Sequence, residues 1–224
     1  MRKVTSTLRR RLAAGTILLL LILATAEIFD RHFWPNPLSV RPAATAGKIG
    51  DGVSGQSLYQ LESVWTTDHE RTVRLVELQG RYTILSLIFT RCSGTCPLLV
   101  KELQEFGASL PLDIKNKTRF VAITIDPADT SETLLQYRHE MRLDEQQWML
   151  LRGAPMAVRE IAAVLGFNYT QTNGQTDDSQ FSHSDLLTLL NPRGEIILQR
   201  QGSGGNFSDL IAAIRHTTKD LARQ

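Results

Sequence analysis

Two cysteines separated by three residues are the side chains of this sequence best suited to chemistry. Cys92 and Cys96 are the only cysteines among 224 residues, and they lie in the segment TRCSGTCP (90–97). Three intervening residues that include a glycine let the two sulfurs approach each other, so that they can form a disulfide or bind one metal ion. Pro97 is typical of the first turn of a helix. Because a helix N-terminus stabilises negative charge, we expect a thiolate there to have a lowered pKa.

A purely structural disulfide is the alternative use of this pair. An oxidising compartment outside the cytoplasm permits such a bridge. A loop this short removes little entropy from the unfolded chain, however, so the bridge would stabilise the fold only weakly. Redox chemistry or metal binding therefore explains the spacing better.

A histidine far along the chain is a candidate third metal ligand. His183 ends a polar, glycine-containing segment and comes just before the apolar run 186–190. A lone histidine in such a place is more often a hydrogen-bonded loop residue than a ligand. Two thiolates and one imidazole nevertheless form a soft, three-coordinate set that suits copper, as Cu(I) or Cu(II). Structural zinc would need a fourth protein ligand and catalytic zinc a water molecule.

The elements that must position these residues alternate between strands and helices. The near-continuous apolar run 82–89 is typical of a strand covered on both faces, and the cysteines follow it directly. Ligands of α/β sheets usually bind beyond the carboxyl ends of such strands. Asp129 followed by Glu132 predicts a capping box for a helix that reaches Met141. Further strands are predicted at 59–65, 72–78, 120–125, 148–151, 186–190 and 195–199, with helices at 97–107, 158–165 and 208–221. This order predicts one α/β domain over residues 58–224, with a central sheet between helices.

The first 57 residues have a different character. Basic residues are concentrated in the first eleven positions, and residues 12–26 carry no charge. This asymmetry keeps the N-terminus in the cytoplasm and exports the rest of the chain. We expect residues 1–29 to be an uncleaved single-pass anchor in the cell inner membrane, with the domain facing the periplasm or another extracytoplasmic side. The alternative is cleavage at the small residues that end at Ala26. Residues 30–57 contain three prolines and many small residues, and they are expected to form a flexible tether.

Composition excludes several classes of protein. Apolar residues make up 42% and charged residues 21%, as in an ordinary globular protein. The net charge is +2, but outside the first eleven positions the remaining 20 basic and 23 acidic residues leave a slightly acidic body. A nucleic-acid-binding domain would need a basic face. We therefore expect no nucleic-acid partner.

From about Gln56 to the C-terminus, the sequence resembles the SCO (Sco/SenC) family of copper metallochaperones. Order and spacing agree across several motifs. These are VWTTD (64–68), QGRY (79–82), FTRCSGTCP (89–97), ITIDPADT (123–130), SHS (182–184) and LLNPRG (189–194).

The resemblance implies a thioredoxin-like fold on a single-span anchor. It implies that Cys92 and Cys96 are copper ligands that can also form a reversible, redox-active disulfide, that His183 is the third ligand, and that Asp126 has an outer-sphere role. The family role is to deliver copper to, or reduce the thiols of, the dinuclear copper site of cytochrome c oxidase. The implied partners are the copper-site subunit of the oxidase or another cuproprotein, and a thiol–disulfide reductant. The protein would not be an enzyme, apart from an accessory thiol–disulfide reductase activity.

The chain departs from the family pattern at one position of the cysteine motif. The family usually has proline after the first cysteine, where this chain has Ser93, so we expect a more flexible loop with altered copper affinity and redox potential.

A thioredoxin-type oxidoreductase acting on exported cysteines is the alternative function, although thioredoxins have two residues between their cysteines and a proline in the facing loop. A peroxiredoxin would need threonine where this chain has Phe89.

Overall fold

The computed structural model describes residues 57–92, 94–171, 181–183, 185–201, 207–221 and 223. The expected membrane anchor, nearly all of the expected tether, and Ser93 lie outside the described residues. Among the helices that are described, none is both long enough and apolar enough to cross a membrane.

The described part of the chain contains nine strands and five α-helices, where the sequence predicted seven strands and four helices. The unpredicted elements are the short helix Leu112–Lys115 and the strands Tyr169–Gln171 and Phe181–His183. The strands are β1 (Val64–Thr67), β2 (Thr72–Arg74), β3 (Tyr82–Ile88), β4 (Thr118–Thr124), β5 (Trp148–Gly153), β6 (Tyr169–Gln171), β7 (Phe181–His183), β8 (Leu186–Leu190) and β9 (Ile196–Gln201). The helices are α1 (Thr95–Ser109), α2 (Leu112–Lys115), α3 (Ser131–Met141), α4 (Pro155–Leu165) and α5 (Ser208–Leu221).

Seven of the strands form one mixed sheet in the order β2-β1-β5-β4-β3-β8-β9. Strands β3, β4 and β5 are parallel, whereas β8 is antiparallel to β3 and β1 to β5. All seven residues of β3 are buried, because helices cover both faces of the sheet. Helix α4 packs on one face with Trp65, and α1, α3 and α5 pack on the other. The predicted central sheet between helices is confirmed.

Two predicted strands are partly wrong. Leu58–Gln60 is a 3-10 turn that Ser57 caps, and β1 begins only at Val64. Strand β2 ends at Arg74, and Leu75–Leu78 is a second 3-10 turn. Short apolar runs do not distinguish strands from buried turns, and here packing against the sheet decided the outcome.

Helix α3 begins differently from the prediction. Its N-cap is Thr130, whose side chain accepts a hydrogen bond from the Thr133 backbone while the Thr133 hydroxyl accepts one from the Thr130 backbone. The predicted capping box of Asp129 and Glu132 is therefore wrong. Asp129 is buried, and its carboxylate is used elsewhere.

A glycine at the end of β5 is required by the core. Gly153 lies opposite Trp65 in the sheet, and a Cβ at position 153 would lie 2.6 Å from the Trp65 ring. Since Trp65 is fully buried, we expect Gly153→Ala to lower the free energy of unfolding by about 1–3 kcal/mol. Urea denaturation measures this, with exposed Leu112→Ala as the control expected to stay within about 0.5 kcal/mol of the parent. A Gly153→Ala variant as stable as the parent would contradict the prediction.

Candidate metal centre

The two cysteines lie where β3 leaves the sheet and α1 begins, as predicted. Cys92 comes shortly after the end of β3, Gly94 is the N-cap, and Cys96 is the second residue of α1. Cys96 is only 1% exposed, whereas Cys92 is partly exposed. The pair is therefore unequal, with Cys96 enclosed and Cys92 in partial contact with solvent.

The two sulfurs form a hydrogen-bonded dithiol. Both cysteines are thiols in the structure. The hydrogen bond with Cys92 and burial of the side chain raise the pKa of the Cys96 thiol above its ordinary value. The sequence-based expectation of a lowered pKa is wrong for Cys96, because the hydrogen bond with Cys92 and burial outweigh the effect of the helix N-terminus.

A buried carboxylate fixes the segment that enters the dithiol. Asp129 accepts hydrogen bonds from the backbone N–H of Thr90 at 3.1 Å and from its hydroxyl at 2.6 Å. It accepts a third from the Thr124 hydroxyl at 2.5 Å. Thr124 ends β4, so Asp129 ties the cysteine loop to the neighbouring strand.

A second carboxylate lies next to the same loop. The guanidinium of Arg91 is 2.5 Å from Asp126 Oδ2, and Oδ1 of this buried carboxylate accepts a hydrogen bond from the Ala128 backbone. Arg91 immediately precedes Cys92. Asp126 therefore contacts the residue that precedes Cys92, and its outer-sphere role stays a prediction.

The hydrogen bonds of Asp129 predict that this carboxylate keeps the segment before Cys92 in a fixed conformation. In Asp129→Asn, the amide would have one acceptor oxygen where the carboxylate has two. At least one hydrogen-bond donor of Thr90 or Thr124 would therefore lose its acceptor. We expect unfolding to become easier by about 1–3 kcal/mol, and Cys92 to react faster with iodoacetamide. The matched control is Asp113→Asn, an exposed carboxylate on α2. Equal alkylation rates in the two variants would show that Asp129 does not fix the loop.

Strand pairing brings the backbone of the histidine segment to the same end of the sheet. Because β8 is antiparallel to β3, the start of β8 lies beside the end of β3. The negative charge of Asp185, just before β8, contributes to the raised pKa of Cys96. His183 is two residues from Asp185, which spans at most about 7 Å of chain.

The histidine itself is described only through its backbone. His183 ends β7 and pairs with Tyr169 in a two-stranded sheet with β6, a hairpin that the sequence did not predict. Its side chain lies outside the described part of the structure. Among the described side chains, no three His, Cys, Asp or Glu residues lie close enough together to hold a metal ion. Ligation by His183 therefore stays a prediction.

Three residues around the cysteine loop were not predicted as site residues. Arg91 lies inside the cysteine motif, directly before Cys92, and its pairing with Asp126 is seen only in the folded loop. Asp185 directly follows the SHS motif, and only strand pairing shows that its charge acts on Cys96. Tyr137 was predicted on the buried face of α3, but the side-chain period does not show which neighbour its hydroxyl meets. The sequence signals that could have identified two of these residues were the nearness of Arg91 to Cys92 and of Asp185 to His183.

Fold and site together define a class of protein: a mixed α/β domain that carries a dithiol at a helix start beyond the sheet. Residues 56–219 match the SCO1/SenC family, and the chain belongs to that family.

Individual relatives share less than 30% sequence identity with this chain, and their names agree with the family match. A protein of Stutzerimonas stutzeri named for copper binding is 29% identical over 142 residues, which cover 63% of this chain and 67% of that protein. The match covers less than two thirds of two other relatives, an Arabidopsis thaliana mitochondrial SCO1 homolog (44%) and a Rickettsia felis SCO2-like protein (58%).

Solved structures share the fold. Arabidopsis thaliana ScoI with copper bound has a TM-score of 0.56 at 21% identity and covers 72% of this chain and 97% of its own. BsSco, described as a member of the Sco family of cytochrome c oxidase assembly proteins, has a TM-score of 0.58 at 20% identity and covers 72% and 95%. These likenesses support the fold of the domain.

Proposed function

We propose that this protein is a copper carrier whose cargo is bound by Cys92, Cys96 and His183. The observation that supports it most is the position of the dithiol, beside the sheet end where the chain enters β8 from the histidine segment. Two sulfurs and one imidazole nitrogen suit copper in either common oxidation state. The copper named for relatives and for the Arabidopsis structure agrees with this donor set.

The unequal exposure of the two sulfurs suits a carrier better than a permanent metal site. Cys96 is enclosed and would hold the ion, whereas Cys92 is partly exposed and is the side from which an incoming ligand would approach. A recipient thiolate can then approach copper from the Cys92 side and replace one ligand at a time. Asp126 would hold Arg91 and the loop steady in an outer-sphere role.

The recipient we propose is the dinuclear copper site of cytochrome c oxidase, or another cuproprotein. The description of BsSco supports this choice, because that relative belongs to the oxidase assembly proteins. The basic, then uncharged N-terminal sequence supports an inner-membrane protein with its domain on the exported side.

Anaerobic titration of the reduced full chain with Cu(I) tests the proposal. We expect one copper per chain, and an affinity that falls at least about tenfold in His183→Ala. The matched control is His216→Ala, an exposed histidine on α5 that should leave the affinity unchanged. Stoichiometry well below one, or equal affinity in the two variants, would contradict the assigned ligand set.

Thiol–disulfide exchange is a second candidate, favoured by a partly exposed cysteine next to a buried one. An accessible thiol can attack a partner's disulfide, and the enclosed thiol can then resolve the mixed disulfide. We expect turnover with an insulin disulfide to stay far below that of a thioredoxin. Comparable turnover would favour the oxidoreductase function.

A further inference from the structure

Two exposed apolar side chains share a cleft at the end of the sheet where the cysteines lie. Because β1 is antiparallel to β5, Val64 at the start of β1 lies at the carboxyl end of β5. Helix α4 begins at the same end with Pro155 and Met156. Val64 and Met156 are 52% and 69% exposed, and both line one cleft of about 750 Å³. Single exposed apolar residues are ordinary, but a shared apolar cleft is typical of an interaction site.

A smaller cleft lies between this one and the cysteine loop. It has a volume of about 90 Å³, and Asp126, at the end of β4, is one of its lining residues. Asp126 contacts Arg91, the residue before Cys92. Arg159 lines both clefts and therefore connects them. Since β1, β5, β4 and β3 are successive neighbours in the sheet, about 14 Å separates the first of these strands from the last.

The border between the two clefts carries a positive charge. Arg159 is exposed and forms no ion pair with any residue that the structure describes, and its guanidinium donates a hydrogen bond to the Met156 sulfur at 2.9 Å. A thioether is a weak acceptor, whereas a guanidinium binds a carboxylate strongly. Glu160 lines only the larger cleft, and the charge of Asp126 in the smaller one is paired with Arg91. A partner's carboxylate would therefore find its cation at Arg159.

We infer that Val64, Met156 and Arg159 form a docking face for the copper-site domain of the recipient, an inference that rests on the proposed function. The recipient would present an apolar side chain to the larger cleft and a carboxylate to Arg159. An interface of ordinary size buries about 800 Å² on each partner, which is wide enough to span both this face and the cysteine loop. Docking here would hold the recipient's ligands beside Cys92, which is partly exposed.

Copper transfer from the loaded full chain to the copper-site domain of the oxidase subunit tests the inference. We expect the rate constant for Cu(I) transfer, measured anaerobically, to fall at least about tenfold in Met156→Asp. Aspartate suits the first turn of a helix, so α4 should stay folded. Met156→Leu keeps the face apolar and should transfer copper at the parent rate. So should the matched control Leu112→Asp, since Leu112 is an exposed apolar residue that precedes β4, at the other end of the sheet.

Charge reversal gives an independent measurement. In Arg159→Glu, transfer should slow about tenfold at low salt and lose the decrease with added salt that the parent shows, because salt screens a charge at the rim of an interface. Arg215→Glu, at an exposed position on α5, is the control expected to behave like the parent. Cu(I) affinity without the recipient should be the same in all these variants, since the proposed copper ligands are unaltered.

Four results would overturn the inference. Transfer at the parent rate in Met156→Asp would remove the docking face and leave copper binding intact. A fall in Cu(I) affinity in Met156→Asp would show that this residue acts on the cargo. A parent that sediments as a dimer, with Met156→Asp as a monomer, would assign the face to a second copy of this chain. If the parent binds copper but transfers none to the oxidase domain, the proposed recipient and this inference fail together.

Discussion

Replacement of Cys96 by alanine is expected to abolish useful copper binding. Cys96 is the enclosed sulfur of the pair, so no water or neighbouring protein can readily supply a substitute ligand. Loss of an outer-shell partner costs about 10–100-fold in metal affinity, and loss of a ligand should cost more than about 1000-fold. Competition with a Cu(I) chelator measures the change.

The choice of variants separates ligand loss from unfolding. Alanine removes the sulfur without burying a new hydroxyl, whereas Cys96→Ser would add an unpartnered one. Met156 is 69% exposed and offers a second soft sulfur, so Met156→Leu is the matched control and should bind copper like the parent. Cys96→Ala that retained affinity within tenfold would exclude this sulfur as a ligand.

Copper affinity is expected to rise steeply with pH. The hydrogen bond with Cys92 and burial raise the pKa of the Cys96 thiol, so this thiol is protonated across the neutral range. Copper binds the thiolate, and each proton that it displaces raises the apparent affinity about tenfold per pH unit. We therefore expect an increase of at least about 100-fold between about pH 6 and 8.

The same chelator competition, repeated across this range, measures the slope. The slope should be smaller in Cys96→Ala, because one displaced proton is missing. A flat profile in the parent would mean that the sulfurs are already thiolates, which contradicts the raised pKa. A falling profile would have the wrong sign for any mechanism in which thiols are deprotonated.

The positions of the cysteines could be predicted because local signals agreed. The apolar run before them is long enough to identify a fully buried strand, and Pro97 with Gly94 marks the helix start. Helix α3 was also placed correctly along the chain, since Leu134, Tyr137 and Arg138 follow its buried face.

The features that could not be predicted depend on packing between distant segments. The 3-10 turns at Leu58–Gln60 and Leu75–Leu78 have apolar residues that would equally suit strands, and only burial against the sheet selects the turn. The nearness of Asp185 to Cys96 depends on the pairing of β3 with β8. Asp129 looks like a helix cap in sequence, and its bonds to Thr90 and Thr124 need the folded loop.

The β6–β7 hairpin is hydrogen-bonded as a sheet of its own, apart from the seven-stranded sheet. Amide hydrogens of the two sheets can therefore exchange with deuterium through separate opening events. If copper joins His183 to the dithiol, it links the hairpin to the larger sheet. Slower exchange on loading would then be concentrated in residues 169–171 and 181–183, and β3 would change little.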